Sequence, residues 1–263
     1  ESSAASDVYK RQVPGLVSRV ADIPAENVRF HQTYLGGGFG RRGSPSHIIE
    51  AAEIAKATGK PIQLVWTRED DIQQGPFRPA SLMRIKAGVD NDGNLIVWDA
   101  ARAGADISPD TFRSLLPALY SWMGDGMIEG VANLSEWYFE KFATDESSTE
   151  GLFEDYDHPN TRVTHMTVDH ELPMTFWRSV GHSYTAFAKE SMIDEMAEAA
   201  GMDEVAFRLQ NTQNTPRLNN VIRVAGEHMA KMNPPEGHHL GFAAHHSFYT
   251  DVAEIAEVSV ENG

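Results

Sequence analysis

The stretch Gly36-Gly37-Gly38-Phe39-Gly40-Arg41-Arg42-Gly43 constrains this chain more than any other. Glycine weakens the interior of a helix or strand by about 0.5–1 kcal/mol per residue, so this much of it in one place marks a loop. Without side chains in the way, backbone amides can approach a ligand closely, and a following helix adds a positive dipole end. The flanks fit that reading. Asn27 to Leu35 is a strand-like run, and Ser44-Pro45 supplies an N-cap residue followed by proline at the first helical position. Ile48, Ala51, Ala52 and Ala55 give the spacing of a buried helical stripe, which Gly59 closes. Pro61 to Trp66 then reads as a second, buried strand. Asn27 to Trp66 is therefore expected to be a strand-loop-helix-strand unit with parallel strands, and the fold class is mixed α and β (α+β).

Elsewhere the elements are shorter. Val13 to Ala21 has a helical pattern. Ser81 to Val89 and Asn94 to Ala101 alternate like strands around the turn Asp90-Asn91-Asp92-Gly93. Gly104 to Gly130 has no legible period. Asp145 to Asp157 is rich in carboxylates and poor in apolar pattern, so a solvated surface loop is expected; its spacing does not match a calcium-binding EF-hand. Tyr184 to Ala200 is amphipathic and stopped by Gly201, Asp203 caps a helix through Leu209, and Leu218 to Met232 ends at Pro234-Pro235. Val252 to Glu261 reads as a strand entering the turn pair Asn262-Gly263. Both ends of the chain read as internal to something longer. Ser2 to Gln12 is similar to the in-frame translation of a transposase-type sequencing adapter, so residues 1–12 are expected to be a tail, 13–235 one domain and 236–263 the opening of a second.

Composition narrows the function. A net charge of -16 repels nucleic acid and anionic membrane surfaces. The absence of cysteine removes thiolate nucleophiles, disulfides and cysteine-held iron-sulfur clusters from this polypeptide. The histidine pairs His238-His239 and His245-His246 would point to opposite faces of a strand, and no His-Glu-x-x-His spacing accompanies them, so no protein-held metal is expected. Ser44, Ser179, Ser183 and Ser247 lack the context of a catalytic nucleophile.

Gly38-x-Gly40-x-x-Gly43 satisfies the dinucleotide-binding spacing between a strand and a helix, which keeps a nicotinamide- or flavin-dependent dehydrogenase open. Against it, Ser44-Pro45 starts the helix after the last glycine, and the acidic residues Glu69 and Asp70 arrive late. A non-catalytic binding module is the third class.

Four blocks, in order, resemble the large subunits of xanthine oxidase-type molybdenum hydroxylases, in the branch of the isoquinoline 1-oxidoreductase beta chain. They are Leu35 to Arg42; Val65 to Ile72 with Arg78-Pro79-Ala80; Trp177 to Ser183 with Ala186-Phe187 and Glu190 to Glu195; and Gly241 to Val258. Residues Gly104 to Glu154 fit poorly. The resemblance implies a molybdopterin-binding domain of the xanthine oxidase large-subunit type, truncated at both ends. It also implies molybdenum on a pterin dithiolene, in the cytosine dinucleotide form, with no protein side chain on the metal. Gly36, Gly37, Gly38, Phe39 and Gly40 are then the amides facing the cofactor, with Arg41, Arg42, Val180, Gly181 and His182 as further cofactor contacts. Arg178 would stand beside both cofactor and substrate as the catalytic charge, which requires it to lie near the glycine loop. The implied reaction hydroxylates an aldehyde or N-heteroaromatic carbon with oxygen from water. Electrons would leave through a small subunit carrying 2Fe-2S clusters, with a cytochrome c subunit as a further partner and the periplasm as the compartment. The family's general base, a glutamate, is expected beyond Gly263, so the chain alone is expected to be inactive.

Overall fold

A computed structural model describes residues 2–34, 36–120, 122–168 and 172–261, which divide into two units. The turn pair expected at Asn262-Gly263 lies outside the described residues.

The first unit comprises Glu1–Ala80, Gly104–Ser148 and Thr167–Val180. Helix α1 runs Ser2–Ala21 and so begins well before the expected Val13. Ser2 to Gln12 contains neither glycine nor proline, and nothing local stops a helix there. Gln12 is buried with Val13 and Leu16, so the end of the expected tail shares in the packing. Helix α2, Ser46–Thr58, packs on α1 and is closed by Gly59 in the left-handed region (φ 64°). Helix α3, Arg68–Gln74, opens with a reciprocal capping box between Thr67 and Asp70.

The two strands expected beside α2 are not formed: residues 28–34 and 61–66 join no ladder. A strand exists only where a neighbour takes its backbone hydrogen bonds, and both runs are largely exposed, Tyr34 and Val65 among them. The parallel strand-loop-helix-strand unit is therefore present only as loop and helix.

The illegible stretch folds as helices α4, Ser108–Leu119, and α5, Asp125–Phe142, which meet through Leu116, Ile128 and Ala132. Pro117 inside α4 and Gly126 and Gly130 inside α5 blur the period that would have announced them. A single turn, α6, spans Glu146–Thr149.

The acidic segment expected in solvent is solvated only in part: Glu146 and Glu154 are exposed, but Asp145 and Asp155 are buried. Asp145 is 1% exposed; it accepts from the amides of Ile107 (2.7 Å) and Ser108 (3.2 Å) and from the hydroxyls of Ser108 and Ser148. It thereby caps α4 from a distant part of the chain. A carboxylate spent on orphan amides at a helix start satisfies groups that burial would otherwise leave unpaired.

The second unit comprises Ser81–Ala103, Thr149–Met166 and Gly181–Gly263. Strands β1 (Ser81–Val89), β2 (Leu95–Gly104) and β3 (Thr161–Thr167) form a sheet in that order. The β1–β2 turn is held by Asp90, whose Oδ1 accepts from the amides of Asp92 and Asn94, with Gly93 at φ 81°. Helices α7 (His182–Ala199), α8 (Glu204–Gln210) and α9 (Pro216–Met229) follow. Asp203 caps α8 as expected, accepting from Val205 and Ala206. Leu95, Trp98, Leu152, Tyr156, Ile193 and Phe207 are central to the main core, and the Trp98 indole donates to the Leu152 carbonyl. Strands β4 (His238–Ser247) and β5 (Thr250–Ser259) pair antiparallel, and Phe242 and Ala244 pack on Leu218 and Ile222 of α9.

Candidate functional site

In the first unit the glycine loop reaches α2 through a short 3-10 turn, Arg41–Gly43, so the helix starts at Ser46, with Pro45 rather than Ser44 as its cap residue. A dinucleotide fingerprint needs the glycines to turn directly into the helix. Here they do not, and Asp70 is committed to its capping box.

Gly37 and Gly40 have φ of 141° and 83°, conformations that L side chains rarely adopt. A Cβ at Gly40 would stand 2.1 Å from the Phe176 carbonyl oxygen, so glycine is what lets the segment before Arg178 lie against the loop. A Cβ at Gly36 would meet nothing within 4 Å. Among the described residues no partner accepts from the amides of Gly37, Gly38, Phe39 and Gly40. The loop thus offers backbone donors without a partner among the described residues, Gly37 and Phe39 exposed and Gly38 and Gly40 half-buried.

Arg178 lies beside it, with its guanidinium 5.8 Å from the centre of the Phe39 ring. It is exposed and makes no ion pair among the described residues. Its own backbone is held in an unusual turn. Ser179 and Val180 both have positive φ (69° and 47°), which for a β-branched residue is a true outlier. Arg78 fastens that turn, donating to the carbonyls of Val180 and Arg178 at 2.6 Å each. Arg78 belongs to one of the blocks that carry the family resemblance, yet its role was invisible in sequence, because side chain to backbone pairing a hundred residues apart leaves no local pattern.

The two loop arginines differ. Arg41 stacks 5.6 Å from the centre of the Trp66 ring, lies 3.7 Å from Asp71 and donates to Ser46, so it is occupied by its neighbours. Arg42 is exposed and without an ion pair among the described residues. Burial, then the charges of Arg41 and Arg42, lower the pKa of His47.

Gly181 and His182 belong to the second unit. His182 opens α7, is 9% exposed and contacts His245 with its Nδ1 2.9 Å from His245 Nε2. The sequence places His245 in an adjacent pair whose members face opposite sides of a strand. On β4 it does face inward, while His246 pairs with Asp251 at 2.8 Å. The described residues contain no cluster of side chains arranged to hold a metal ion.

A chemical test of the implied cofactor follows from these groups. Unpartnered amides and uncommitted guanidinium groups suit oxo, phosphate or carboxylate oxygens. The residues present fit an anionic group such as a molybdenum-bearing pterin phosphate.

Comparison with known proteins agrees. Residues 6–105 and 136–212 match the family described as the molybdopterin cofactor-binding domain. The chain is 30% identical over 214 residues to the beta chain of isoquinoline 1-oxidoreductase from Brevundimonas diminuta, covering 81% of this chain and 25% of the relative. It is 27% identical over 202 residues to the molybdenum-binding subunit of an aldehyde oxidoreductase from Escherichia coli, covering 76% of this chain and 23% of that one. The chain thus spans a quarter or less of the length of these relatives. Among solved structures, quinoline 2-oxidoreductase from Pseudomonas putida superposes with a TM-score of 0.63 at 15% identity, covering 89% of this chain and 30% of that one. The aldehyde oxidoreductase from Desulfovibrio gigas gives 0.57 at 20% identity, covering 80% and 22%. At these identities the superpositions bear on fold.

Proposed function

The chain belongs to the molybdopterin cofactor-binding domain family, and from that premise we propose that it forms part of the cofactor site of an enzyme hydroxylating an aldehyde or N-heteroaromatic carbon. The observation carrying this reading is the meeting of the Gly37–Gly40 amides with the exposed Arg178 in one unit. When bound, a molybdenum-pterin group supplies oxygen transfer and two-electron redox chemistry. The chain's contribution is binding and electrostatics. The loop amides hold an anionic face of the group by hydrogen bonding. Arg178, stacked on Phe39 and set on a turn clamped by Arg78, holds a positive charge beside the loop that would stabilise negative charge developing on a substrate bound there. Arg42, exposed and without an ion pair among the described residues, would suit a phosphate of the group, whereas Arg41, occupied by Trp66 and Asp71, shapes the loop.

The cytosine dinucleotide form of the cofactor, a partner subunit carrying 2Fe-2S clusters as electron outlet, a cytochrome c subunit and a periplasmic location are part of the same proposal. They rest on the family resemblance. The relatives named as subunits support the partner. The start of α2 after Gly43 removes the main support for a dehydrogenase using the loop for a nicotinamide or flavin.

The test uses the complete subunit assembled with its partner in a host that makes the cofactor. Arg178→Ala is expected to lower turnover by about 10²–10³-fold, as for loss of one transition-state donor, while molybdenum content stays within about twofold by metal analysis. Cofactor lost in proportion to activity reassigns Arg178 to assembly; no change in either removes it from the site.

A further inference from the structure

The second unit contains a buried polar chain that the glycine loop does not use. Lys189 lies two turns after His182 on the same face of α7. Its side chain is 1% exposed and that of its ion-pair partner Asp155 is 4% exposed. The ammonium also donates to His245 Nδ1 at 2.8 Å and sits over the Tyr156 ring. His245 Nε2 is 2.9 Å from His182 Nδ1, and His182 Nε2 is 3.6 Å from Glu150 Oε2.

This chain has a direction. An ammonium group has three donors and no acceptor. The ammonium is nearer to His245 Nδ1 (2.8 Å) than is the Asp155 carboxylate (3.5 Å), so that nitrogen presents its lone pair and the proton of a neutral ring sits on Nε2. That Nε2–H donates to His182 Nδ1, so His182 in turn carries its proton on Nε2, on the side of Glu150. We propose that Lys189 is a positioning residue that fixes His245, and through it His182, in the neutral Nε2–H tautomer. His182 then serves at the start of α7 as an uncharged donor to an oxygen acceptor, of carboxylate or phosphate type, and not as an imidazolium.

The surroundings agree with neutrality. Burial, and after it the charge of Lys189, pushes His245 down to about 3, against the pull of Asp155. Burial likewise lowers His182, with Glu154 and Asp155 opposing and Lys189 and His246 assisting. Glu150 stands at the open end, Glu154 is engaged by the Gly151 amide, and His246 donates its own amide to Asp155. The close meeting of the two rings also explains Gly151, whose φ is 79° and whose Cβ would stand 2.6 Å from His182 Nδ1 and 2.8 Å from His245 Cε1.

The tautomer assignment rests on this geometry; only the use of His182 toward a cofactor rests on the proposed function. Histidine-selective 15N labelling of the chain, with long-range nitrogen-proton correlation from pH 5 to 8, reads both rings directly. The expected result is two histidines held in the Nε2–H form at pH 7 and above. An Nδ1–H tautomer or a charged ring at pH 7 for either one overturns the proposal. The double variant Lys189→Met with Asp155→Asn, which leaves no buried charge orphaned, is expected to let both rings mix tautomers; unchanged spectra overturn the role of Lys189. Gly151→Ala, which wedges the rings apart, is expected to free His182 while His245 keeps its Lys189 bond, and an unmoved His182 signal counts against transmission through His245. Unchanged molybdenum content in His182→Phe of the complete subunit would sink the cofactor role of His182 and leave the relay standing.

Discussion

Gly40→Ala and Gly36→Ala are the same chemical change four residues apart, and the structure assigns them different consequences for stability. At Gly40 the new Cβ meets the Phe176 carbonyl oxygen at 2.1 Å and the Trp177 amide nitrogen at 2.9 Å, both backbone atoms that cannot turn aside as a flexible side chain could. The backbone also has φ 83°, and placing an L side chain in the left-handed region costs about 1–2 kcal/mol. Overpacking against fixed neighbours adds about 1–3 kcal/mol. The sum, about 2–5 kcal/mol, corresponds in a chain of this size to a fall in Tm of roughly 5–20 °C. At Gly36 the Cβ enters open space, so Tm is expected to move by less than about 2 °C. The assay is thermal unfolding of the chain followed by circular dichroism, with cofactor content of the complete subunit measured in parallel. Gly40→Ala should lower both readouts. Gly36→Ala should leave the melt alone and act only on cofactor content, because a methyl group there covers the open backbone that a ligand would approach. Equal shifts of Tm in the two variants, or a Gly40→Ala loss below about 1 kcal/mol, would refute the close approach of residues 176–178 to the loop.

Three further outcomes follow from the same structure. Arg208 is fully buried and bonds Glu190 at 3.1 Å and Asp194 at 2.8 Å, so Arg208→Ala is expected to destabilise by about 3–5 kcal/mol in urea unfolding, and Arg208→Met with Glu190→Leu to recover part of that loss. His182 and His245 are lowered in the folded state, so their contribution to stability is complete above pH 6.5 and is lost as pH falls below it, until His245 charges near 3. Each adds a slope of at most about 1.4 kcal/mol per pH unit, reduced by their partial exposure; urea unfolding at pH 7, 6 and 5 should show the fall, and His245→Gln should flatten it. Deleting Ser2 to Arg11 is expected to change Tm by less than about 3 °C, since Pro14 can then occupy the first turn of a shortened α1; a larger loss would make that segment part of the fold.

What the sequence made legible was local. Ser81 to Val89, the cap at Asp203 and the helix stopped near Gly201 depend on period and end signals carried by neighbouring residues, and the structure has them. Pro117, Gly126 and Gly130 hid α4 and α5 locally, whereas the other main failures involve distant partners. Residues 28–34 and 61–66 have strand composition but no neighbour to accept their hydrogen bonds. The carboxylates of 145–157 look like a solvated loop until Ile107, Ser108 and Lys189 are seen to consume Asp145 and Asp155. The same distinction applies at the site. The glycine loop was visible as composition, and Arg178 only through family resemblance. Arg78 stood in a block of the family resemblance but, like Lys189, it acts on atoms dozens of residues away, and the role of each left no local pattern.

Arg78 also bears on why Arg178 is in position to act. Two consecutive residues with positive φ, Ser179 and Val180, cost about 1–3 kcal/mol each, and such strain persists only where its surroundings over-determine it. A guanidinium donating to two carbonyls of the same turn contributes about 1.5–3 kcal/mol per charge-assisted bond, which is of the right size to offset that cost. Left to its own preferences, the turn would relax, and the side chain of Arg178 would leave the Phe39 ring. Gly40 acts from the other side by admitting the Phe176 carbonyl where any larger residue would exclude it. The positive charge beside the loop amides is therefore set from two sides: by Gly40, which lacks a side chain, and by Arg78, whose side chain is engaged with the backbone.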